Sequence, residues 1–228
     1  MIKGKLCAAI VAKDSDSMLE SAVQALEKGA DLVEFRLDHL VRIDDTLTDR
    51  LKAFSDRCVV TIRKKSQGGA FTGPEEERLR WLKKFSSINP LYLDIELDAA
   101  KANPDVTRVL LKNCKNVIFS FHEFDSTPEL ETLAEKYKDA TGLGGIAKIV
   151  TMAKSQQDNI TSMLLYNGVG NKGTLIAFTM GELGVLTRLL CLYAGSPISY
   201  VSLGNNASAP GQVPLEIMKR LMNEYYVK

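Results

Sequence analysis

Apolar, β-branched runs recur along the chain, and stretches with helical periodicity separate each run from the next. Such runs predict buried parallel strands, and the stretches between them predict the helices that cover those strands. The repeat is roughly 25–33 residues, the length of a strand–helix unit in an α/β barrel. We predict strands near residues 6–12, 31–37, 58–63, 91–97, 116–121, 145–151, 173–178 and 198–203.

Local sequence signals mark the ends of several predicted helices. Ser17 and Glu20 have the spacing of a capping box, and Lys28-Gly29 is typical of a helix C-terminus. Pro74 and Pro128 each follow small polar residues. We therefore predict these prolines in the first turns of two further helices, where a missing N–H does no harm.

No linker or low-complexity stretch interrupts this alternation, and a last helix is predicted from about Val213 to Tyr225. We therefore predict an α/β fold: a single (β/α)8 TIM barrel that occupies residues 1–228 as one domain. Because periodicity does not show whether a sheet closes, a doubly wound open sheet is the alternative.

One face of several predicted strands carries ionisable side chains. Because side chains alternate along a strand, Glu34, Arg36 and Asp38 share one face, and the apolar residues between them share the other. Other strands repeat this pattern with Arg63, Asp94, Glu96, Ser120, His122 and Lys148. Barrel enzymes assemble their sites at the C-terminal ends of strands, so the pattern favours an active site over a structural salt-bridge network.

Lys148 lies within the apolar run 144–150, where a cation is costly unless it is paired or gives up its proton. An ion-paired lysine and a neutral amine that forms a Schiff base are both compatible with this run. His122 ends a neighbouring apolar strand and is a candidate for proton transfer. The two residues together favour catalysis, whereas His39 follows Asp38 in a loop-like stretch and is predicted on the surface.

Composition limits the class of partner. The chain has 228 residues, 45% hydrophobic and 25% charged, which is typical of a globular protein. A net charge of +1 gives no electrostatic case for nucleic acid or a membrane surface, and no segment suits a signal peptide or a bilayer span. Arg36, Arg63, Lys148 and Arg188 instead suit a small anionic molecule.

Motifs for cofactors and metals are absent from the sequence. The glycines of 142–145 precede a strand rather than follow one, and 171–174 lacks the spacing of a P-loop. No His, Cys and carboxylate cluster has metal-ligand spacing. The four cysteines are scattered singly, which predicts reduced thiols in a cytoplasmic protein. We therefore expect chemistry without a cofactor.

Short motifs occur in a specific order over nearly the whole chain. They are 34–38, Thr61-x-Arg63 with Gly68-Gly69, Asp94-x-Glu96, 120–124, Lys148-Ile149, Met180-Gly181 with Arg188 eight residues after Met180, and 207–212. In this order they resemble the type I 3-dehydroquinate dehydratase family. The resemblance implies a barrel enzyme, usually a homodimer, that dehydrates 3-dehydroquinate to 3-dehydroshikimate without a cofactor or metal.

The resemblance also implies roles for individual residues. Lys148 would form an imine with the ring ketone, and His122 would move the protons of a syn elimination. The implied substrate-binding residues are Glu34, Arg36, Arg63, Arg188, Ser208 and Gln212. Arg188 would bind the substrate carboxylate, and the loop 202–212 would close over the substrate. Gln67, Met180 and Asp94 would support the site.

Three positions depart from the family pattern. Gln67 stands where a glutamate usually assists the histidine, Phe178 where a methionine is common, and Val201 where a phenylalanine is. The N-terminal hairpin of longer members is expected to be absent. Two alternatives remain open: another Schiff-base barrel lyase, similar to class I aldolases, and a non-catalytic binding barrel.

Overall fold

The computed structural model describes residues 4–168, 173–204 and 208–224. The strands are β1 (Lys5–Ile10), β2 (Leu32–Arg36), β3 (Cys58–Thr61), β4 (Tyr92–Glu96), β5 (Val117–His122), β6 (Ile146–Met152), β7 (Leu175–Met180), β8 (Ile198–Ser202) and β9 (Val213–Pro214). The helices are α1 (Ser15–Glu27), α2 (Thr46–Leu51), α3 (Glu75–Ser86), α4 (Leu97–Ala102), α5 (Pro104–Asn113), α6 (Leu130–Gly142), α7 (Gln156–Gly168), α8 (Thr187–Ala194) and α9 (Leu215–Glu224). None of these helices, over the part of the chain described, is long and apolar enough to cross a membrane.

The strands form one parallel sheet in the order β7-β6-β5-β4-β3-β2-β1-β8-β9. The order runs through consecutive strands without the reversal that defines a doubly wound sheet, so that alternative is wrong. The sheet curls until its ends face each other: the rings of Phe178 on β7 and Tyr200 on β8 are 6.3 Å apart. The predicted TIM-barrel fold is confirmed, and only the short β9 was not predicted.

The two faces of the curled sheet bury different side chains. Val33, Phe35 and Leu37 lie in a large core between strands and helices, as the alternation predicted. The inner face has an apolar floor, which includes Cys7, Leu32, Val59, Ile118, Ile146, Ile176 and Ile198. On six strands, the residue two positions after the floor residue also points to the inside of the barrel, closer to the cleft. These strands are β2, β3, β5, β6, β7 and β8. The polar groups therefore form a layer above this floor, at the C-terminal ends of the strands.

The ends of the helices correct two predictions. The N-cap of α1 is Asp14, whose Oδ1 accepts the backbone N–H of Ser17 at 2.9 Å. The capping box at Ser17 was wrong because that residue already lies in the first turn, and aspartate is an equally good cap. Pro128 was also misplaced, since α6 begins two residues later at Leu130.

Other helix ends agree better with the sequence. Gly29, with φ of 89°, follows α1 and confirms the predicted stop. Pro74 is the N-cap of α3, one position before the predicted first turn. The last helix begins at Leu215 rather than Val213 because 213–214 pair with β8, and Tyr225 lies outside the described residues.

Arg78 on α3 is a fully buried cation that sequence reasoning missed. Its Nη1 donates to the Ile62 carbonyl at 2.8 Å and to Glu96 Oε2 at 2.6 Å, and its other nitrogens bind Glu75. Glu96 Oε1 accepts the backbone N–H of Lys64 at 3.0 Å. This network joins α3 to the ends of β3 and β4. Glu96 therefore anchors a loop, although the alternation along its strand grouped it with the ionisable residues of the predicted site.

Replacing Arg78 with methionine should lower the free energy of unfolding by about 3–5 kcal/mol, because it leaves the Glu96 carboxylate buried without its partner. Urea unfolding followed by circular dichroism measures the loss. The matched control is Arg108→Met, which removes an exposed pair with Asp105 and should change stability little. Equal effects of the two substitutions would contradict a structural role for the buried network.

Candidate active site

The C-terminal ends of the strands surround an open cleft. The predicted site residues that line it are Glu34, Arg36, Arg63, Gln67, His122, Lys148, Met180, Arg188, Ser208 and Gln212. Asp94, the remaining predicted site residue, lies beneath and contacts both Lys148 and Arg63. Residues far apart in the sequence meet here because parallel strands all end on the same rim.

Lys148 on β6 is buried, yet it borders the cleft. Its Nζ lies 3.0 Å from Asp94 Oδ2 and 3.7 Å from Glu34 Oε1, and 4.0 Å from the centre of the Tyr200 ring. These contacts offset the cost of burying an ammonium. The sequence left an ion pair and a nucleophile open, and the geometry accommodates both. A paired ammonium must pass its proton on before it can attack a carbonyl.

Asp94 holds together the charged layer. Its Oδ1 accepts the Ser120 hydroxyl at 2.7 Å, and its Oδ2 lies 2.8 Å from Arg63 Nη2 and 3.0 Å from Lys148 Nζ. Burial alone would raise the pKa of Asp94, but the Arg63 and Lys148 cations outweigh burial and hold the pKa below its ordinary value. Asp94 therefore stays ionised and fixes two cations at once.

His122 ends β5 with its ring partly buried at the cleft. Its Nδ1 lies 3.0 Å from Arg63 Nη1, and its ring stacks on Phe124 with centroids 6.1 Å apart. Burial lowers the pKa of His122 well below its ordinary value, and the nearby Arg63 and Lys148 cations lower it further. The imidazole is therefore neutral at neutral pH, the form that can accept a proton.

Gln67 contacts the backbone of His122 rather than its ring. The Gln67 Oε1 accepts the backbone N–H of His122 at 3.1 Å. It is placed there by a short 3-10 turn, Lys65–Gln67, that ends at Gly68, whose φ of 73° is easy only for glycine. A side chain on Gly68 would also collide with the Phe124 ring. Residue 67 thus fixes the strand end that carries the histidine.

Arg36 is held by its neighbours in the chain. Asp38 accepts from its Nε at 3.0 Å and from its Nη2 at 2.8 Å, while Ala70 N–H also donates to Asp38. His39 lies 3.4 Å from Arg36 Nη2, so the prediction of a simple surface residue was wrong. A 3-10 turn over Leu37–His39 folds that ring back against the Arg36–Asp38 pair.

Arg188 differs from the other cations because the structure describes no carboxylate partner for it. It is 1% exposed, its Nη2 donates to the Pro210 carbonyl at 3.1 Å, and its guanidinium lies 4.6 Å from the Phe178 ring centre. Burial lowers the pKa of Arg188 to about 10, which still leaves it charged at neutral pH. A buried cation that faces a cleft without an acid is a natural seat for an anionic ligand.

The loop beside Arg188 carries two more predicted residues. Gln212 Oε1 accepts from the backbone N–H and the hydroxyl of Ser208, at 2.7 and 3.1 Å. Both therefore reach the cleft as one hydrogen-bonded pair. The predicted closing loop 202–212 includes 205–207, which lie outside the described residues.

One residue that was matched to the family pattern does not face the cleft. Val201 was matched to a family phenylalanine, but its side chain packs in the core between strands and helices, and it pairs with Ala8 of β1. Tyr200 faces the cleft instead, beside Phe178. A test of alternation with Ile198 would have found this, because residues 198 and 200 share the inner face. Thr61 was named only as part of a motif, and its hydroxyl donates to Glu34 Oε1 at 2.9 Å.

Comparisons with known proteins agree with this description. A sequence model of the type I 3-dehydroquinase family matches residues 6–228. A 3-dehydroquinate dehydratase of Methanocaldococcus jannaschii is 34% identical over 217 residues, 95% of this chain and 96% of the relative. Its counterpart in Methanococcus maripaludis strain S2 is 36% identical over 220 residues, 95% of this chain and 98% of the relative. The crystal structure of 3-dehydroquinate dehydratase from Geobacillus kaustophilus has a TM-score of 0.87 and 28% identity, covering 98% of this chain and 93% of that chain.

Lys148, the neutral His122 and Arg188, for which the described residues supply no acid partner, lie together at the C-terminal rim of an α/β barrel. This arrangement is typical of a barrel enzyme. The chain belongs to the type I 3-dehydroquinase family. The predictions of an enzyme and of this family are confirmed, while the role of each residue stays a prediction.

Proposed function

We propose that the protein dehydrates 3-dehydroquinate to 3-dehydroshikimate and water through a Schiff base on Lys148. The observation that carries the proposal is the shared cleft, in which buried Lys148 lies beside neutral His122 and Arg188 has no described acid partner. Relatives that match nearly all of this chain are named 3-dehydroquinate dehydratase. The same cleft suits the anion, the ketone and the leaving hydroxyl of that substrate.

Arg188 orients the substrate. Its planar guanidinium forms two parallel hydrogen bonds to the carboxylate, which a lysine cannot match. The ring ketone then points to Lys148, and the hydroxyls lie within reach of Glu34, Arg36 and Arg63. Ser208 and Gln212 bind from the loop side. Met180 and Phe178 form the apolar walls that exclude water.

The first chemical step joins Lys148 to the substrate. The ammonium gives its proton to the neighbouring Glu34 carboxylate, and the freed Nζ attacks the ketone carbon. The resulting carbinolamine loses water to give an iminium ion. The iminium draws electrons from the neighbouring carbon, so that its C–H becomes acidic.

His122 carries the proton transfers. It takes the proton from that carbon, and the C–H electron pair moves into an enamine. It then gives the proton to the departing hydroxyl, which leaves as water while the electron pair forms the ring double bond. Hydrolysis of the regenerated iminium consumes one water and frees Lys148, so the cycle releases one water overall.

Two other functions make different predictions. An aldolase-like barrel lyase would also use Lys148 but would break a carbon–carbon bond. A non-catalytic binding barrel would bind an anion at Arg188 and leave it unchanged. Incubation with 3-dehydroquinate separates the three, because only dehydration produces the ultraviolet absorbance of a conjugated product.

Borohydride added with 3-dehydroquinate should reduce the iminium and leave a stable adduct on Lys148, because this amine borders the cleft. Peptide mass spectrometry locates the adduct. His122→Ala should still form some adduct yet lose turnover by roughly 10²–10⁴-fold, the usual contribution of a general acid–base group.

Lys148→Ala is the matched control for that experiment and should lose both the adduct and the activity. Full activity in Lys148→Ala, or an adduct on another lysine, would refute the Schiff base. Normal turnover in His122→Ala would refute its role alone.

Replacing Arg188 with lysine should raise KM for 3-dehydroquinate about 10- to 100-fold, because a charge-assisted hydrogen bond contributes about 1.5–3 kcal/mol. Steady-state kinetics measures the change, and thermal unfolding shows that the fold is kept. Arg220→Lys, on the exposed side of α9, is the matched control. An unchanged KM would assign the substrate carboxylate to Arg36 or Arg63 instead.

We propose further that residues 1–228 act as one catalytic domain, which the family match over 6–228 supports. The cytoplasmic location stays a prediction.

The homodimer is also a proposal, and it is supported by an exposed apolar surface on two adjacent helices. This surface consists of Ile160 and Leu164 on α7, Leu190 and Tyr193 on α8, and Leu186 at the N-cap of α8. Asn159 of α7 donates to the Leu183 carbonyl before α8 at 2.8 Å, which holds the two helices side by side.

The protein should sediment as a dimer, and Leu190→Arg should convert it to a monomer by placing a charge within the apolar surface. Analytical ultracentrifugation over a range of concentrations measures the change. Val41→Arg is the matched control, because Val41 is 84% exposed and lies far from α7 and α8 in the sequence. A dimer that persists in Leu190→Arg would place the interface elsewhere.

A further inference from the structure

The contact between Arg63 and His122 determines which ring nitrogen carries the proton. Arg63 Nη1 lies 3.0 Å from His122 Nδ1. A guanidinium has only donors, so Nδ1 must be the acceptor in this hydrogen bond. A neutral imidazole has one protonated nitrogen, and that proton is therefore on Nε2.

We propose that Arg63 is a positioning residue that holds His122 as the Nε2–H tautomer and must release Nδ1 before the histidine can act as a base. The proposal rests on the proposed function, because it concerns the proton transfers of that reaction. To the proposed role of His122 it adds the atom that acts as the base, Nδ1, and the event that frees this atom, the departure of the Arg63 N–H.

While Arg63 Nη1 is bound to Nδ1, neither ring nitrogen of His122 can accept a proton. The lone pair of Nδ1 is occupied by the Arg63 N–H, and Nε2 already carries hydrogen. Once Arg63 Nη1 moves away, Nδ1 takes the proton from the substrate carbon and the imidazolium forms. The same Nδ1–H then goes to the leaving hydroxyl, so the histidine returns to its starting form with no net change in protons.

The surroundings of Arg63 allow this release at little cost. Nη1 donates to both His122 Nδ1 and the Ser120 hydroxyl, the latter at 2.8 Å, while Nη2 is held by Asp94 at 2.8 Å. Asp94 therefore keeps the guanidinium in place when Nη1 changes one acceptor. A substrate hydroxyl oxygen is an equivalent acceptor, and it arrives when the base is needed.

No other described contact of the His122 ring supplies this control. Gln67 Oε1 is bound to the backbone N–H of His122, and Phe124 only stacks on the ring. Glu96 is bound to Arg78. The residue that orients the imidazole in this chain is therefore Arg63.

The charged groups that face His122 come from four strands: Arg63 follows β3, Lys148 is on β6, Asp94 on β4 and Arg36 on β2. The three cations lower the pKa of the imidazole, and Asp94 raises it. Removing the Arg63 charge should therefore raise the pH at which His122 titrates.

Nuclear magnetic resonance of the 15N-labelled histidine side chains tests the proposal directly. The chain has only two histidines, and a His39→Gln variant assigns the signals. In the free protein at neutral pH, His122 should show a protonated Nε2 and an unprotonated Nδ1. A protonated Nδ1, or an imidazolium, would overturn the proposal.

Arg63→Gln should lose the fixed tautomer and shift the His122 titration upward. Gln67→Ala, which removes only the backbone contact, should keep the tautomer. An Arg63→Gln protein with the tautomer and titration of the wild type would show that Arg63 binds substrate alone, and would overturn the positioning role. If Arg63→Gln does not fold, the wild-type spectra with and without ligand still test the proposal, because they show which ring nitrogen of His122 carries the proton in each state.

The ligand for those spectra is the borohydride-reduced adduct on Lys148, which fills the cleft without turning over. Its formation should shift the Nδ1 resonance as Arg63 leaves, and an unchanged Nδ1 resonance in a fully formed adduct would refute the release. Failure to form the adduct is a different result: it would refute the Schiff base, while the tautomer of the free protein remains measured.

Discussion

The Asp94 carboxylate is the interaction on which the site depends. It binds Arg63 from one side and Lys148 from the other, and its second oxygen accepts the Ser120 hydroxyl. Without this shared anion, two buried cations would repel each other at the centre of the barrel. With it, the amine and the guanidinium are held in fixed positions, and each keeps a donor free for another partner.

The apolar floor and the polar layer follow from the same alternation along the strands. Leu32 lies below Glu34, Ile118 below Ser120 and Ile146 below Lys148. The floor keeps water from one side of the charged layer, which strengthens its ion pairs, and the cleft admits a ligand from the other side. A histidine at this boundary is kept neutral by burial and by the cations around it.

Sequence reasoning found the fold, and it named residues that line one cleft, because both depend on local periodicity and on the common rim of parallel strands. It missed Arg78, since a charged residue on a helix is usually exposed, and only packing shows that Glu75 and Glu96 enclose it. It matched Val201, rather than Tyr200, to the phenylalanine of the family because it did not use the alternation that turns Tyr200 inward. The contact of Gln67 with a backbone N–H depends on a turn that no spacing reveals.

The balance of charge around the cleft explains why an anion belongs there. Four cations, Arg36, Arg63, Lys148 and Arg188, accompany three carboxylates, Glu34, Asp38 and Asp94. Glu96 is not counted with these carboxylates because it forms an ion pair with Arg78. One cation is therefore in excess, and it is the buried Arg188, which the described carboxylates do not reach. Burying that charge costs stability in the empty protein, and a ligand with one carboxylate recovers the cost. In the proposed function, this binding energy from a part of the substrate remote from the reaction would fix the ring relative to Lys148, so the unbalanced cation would orient the chemistry.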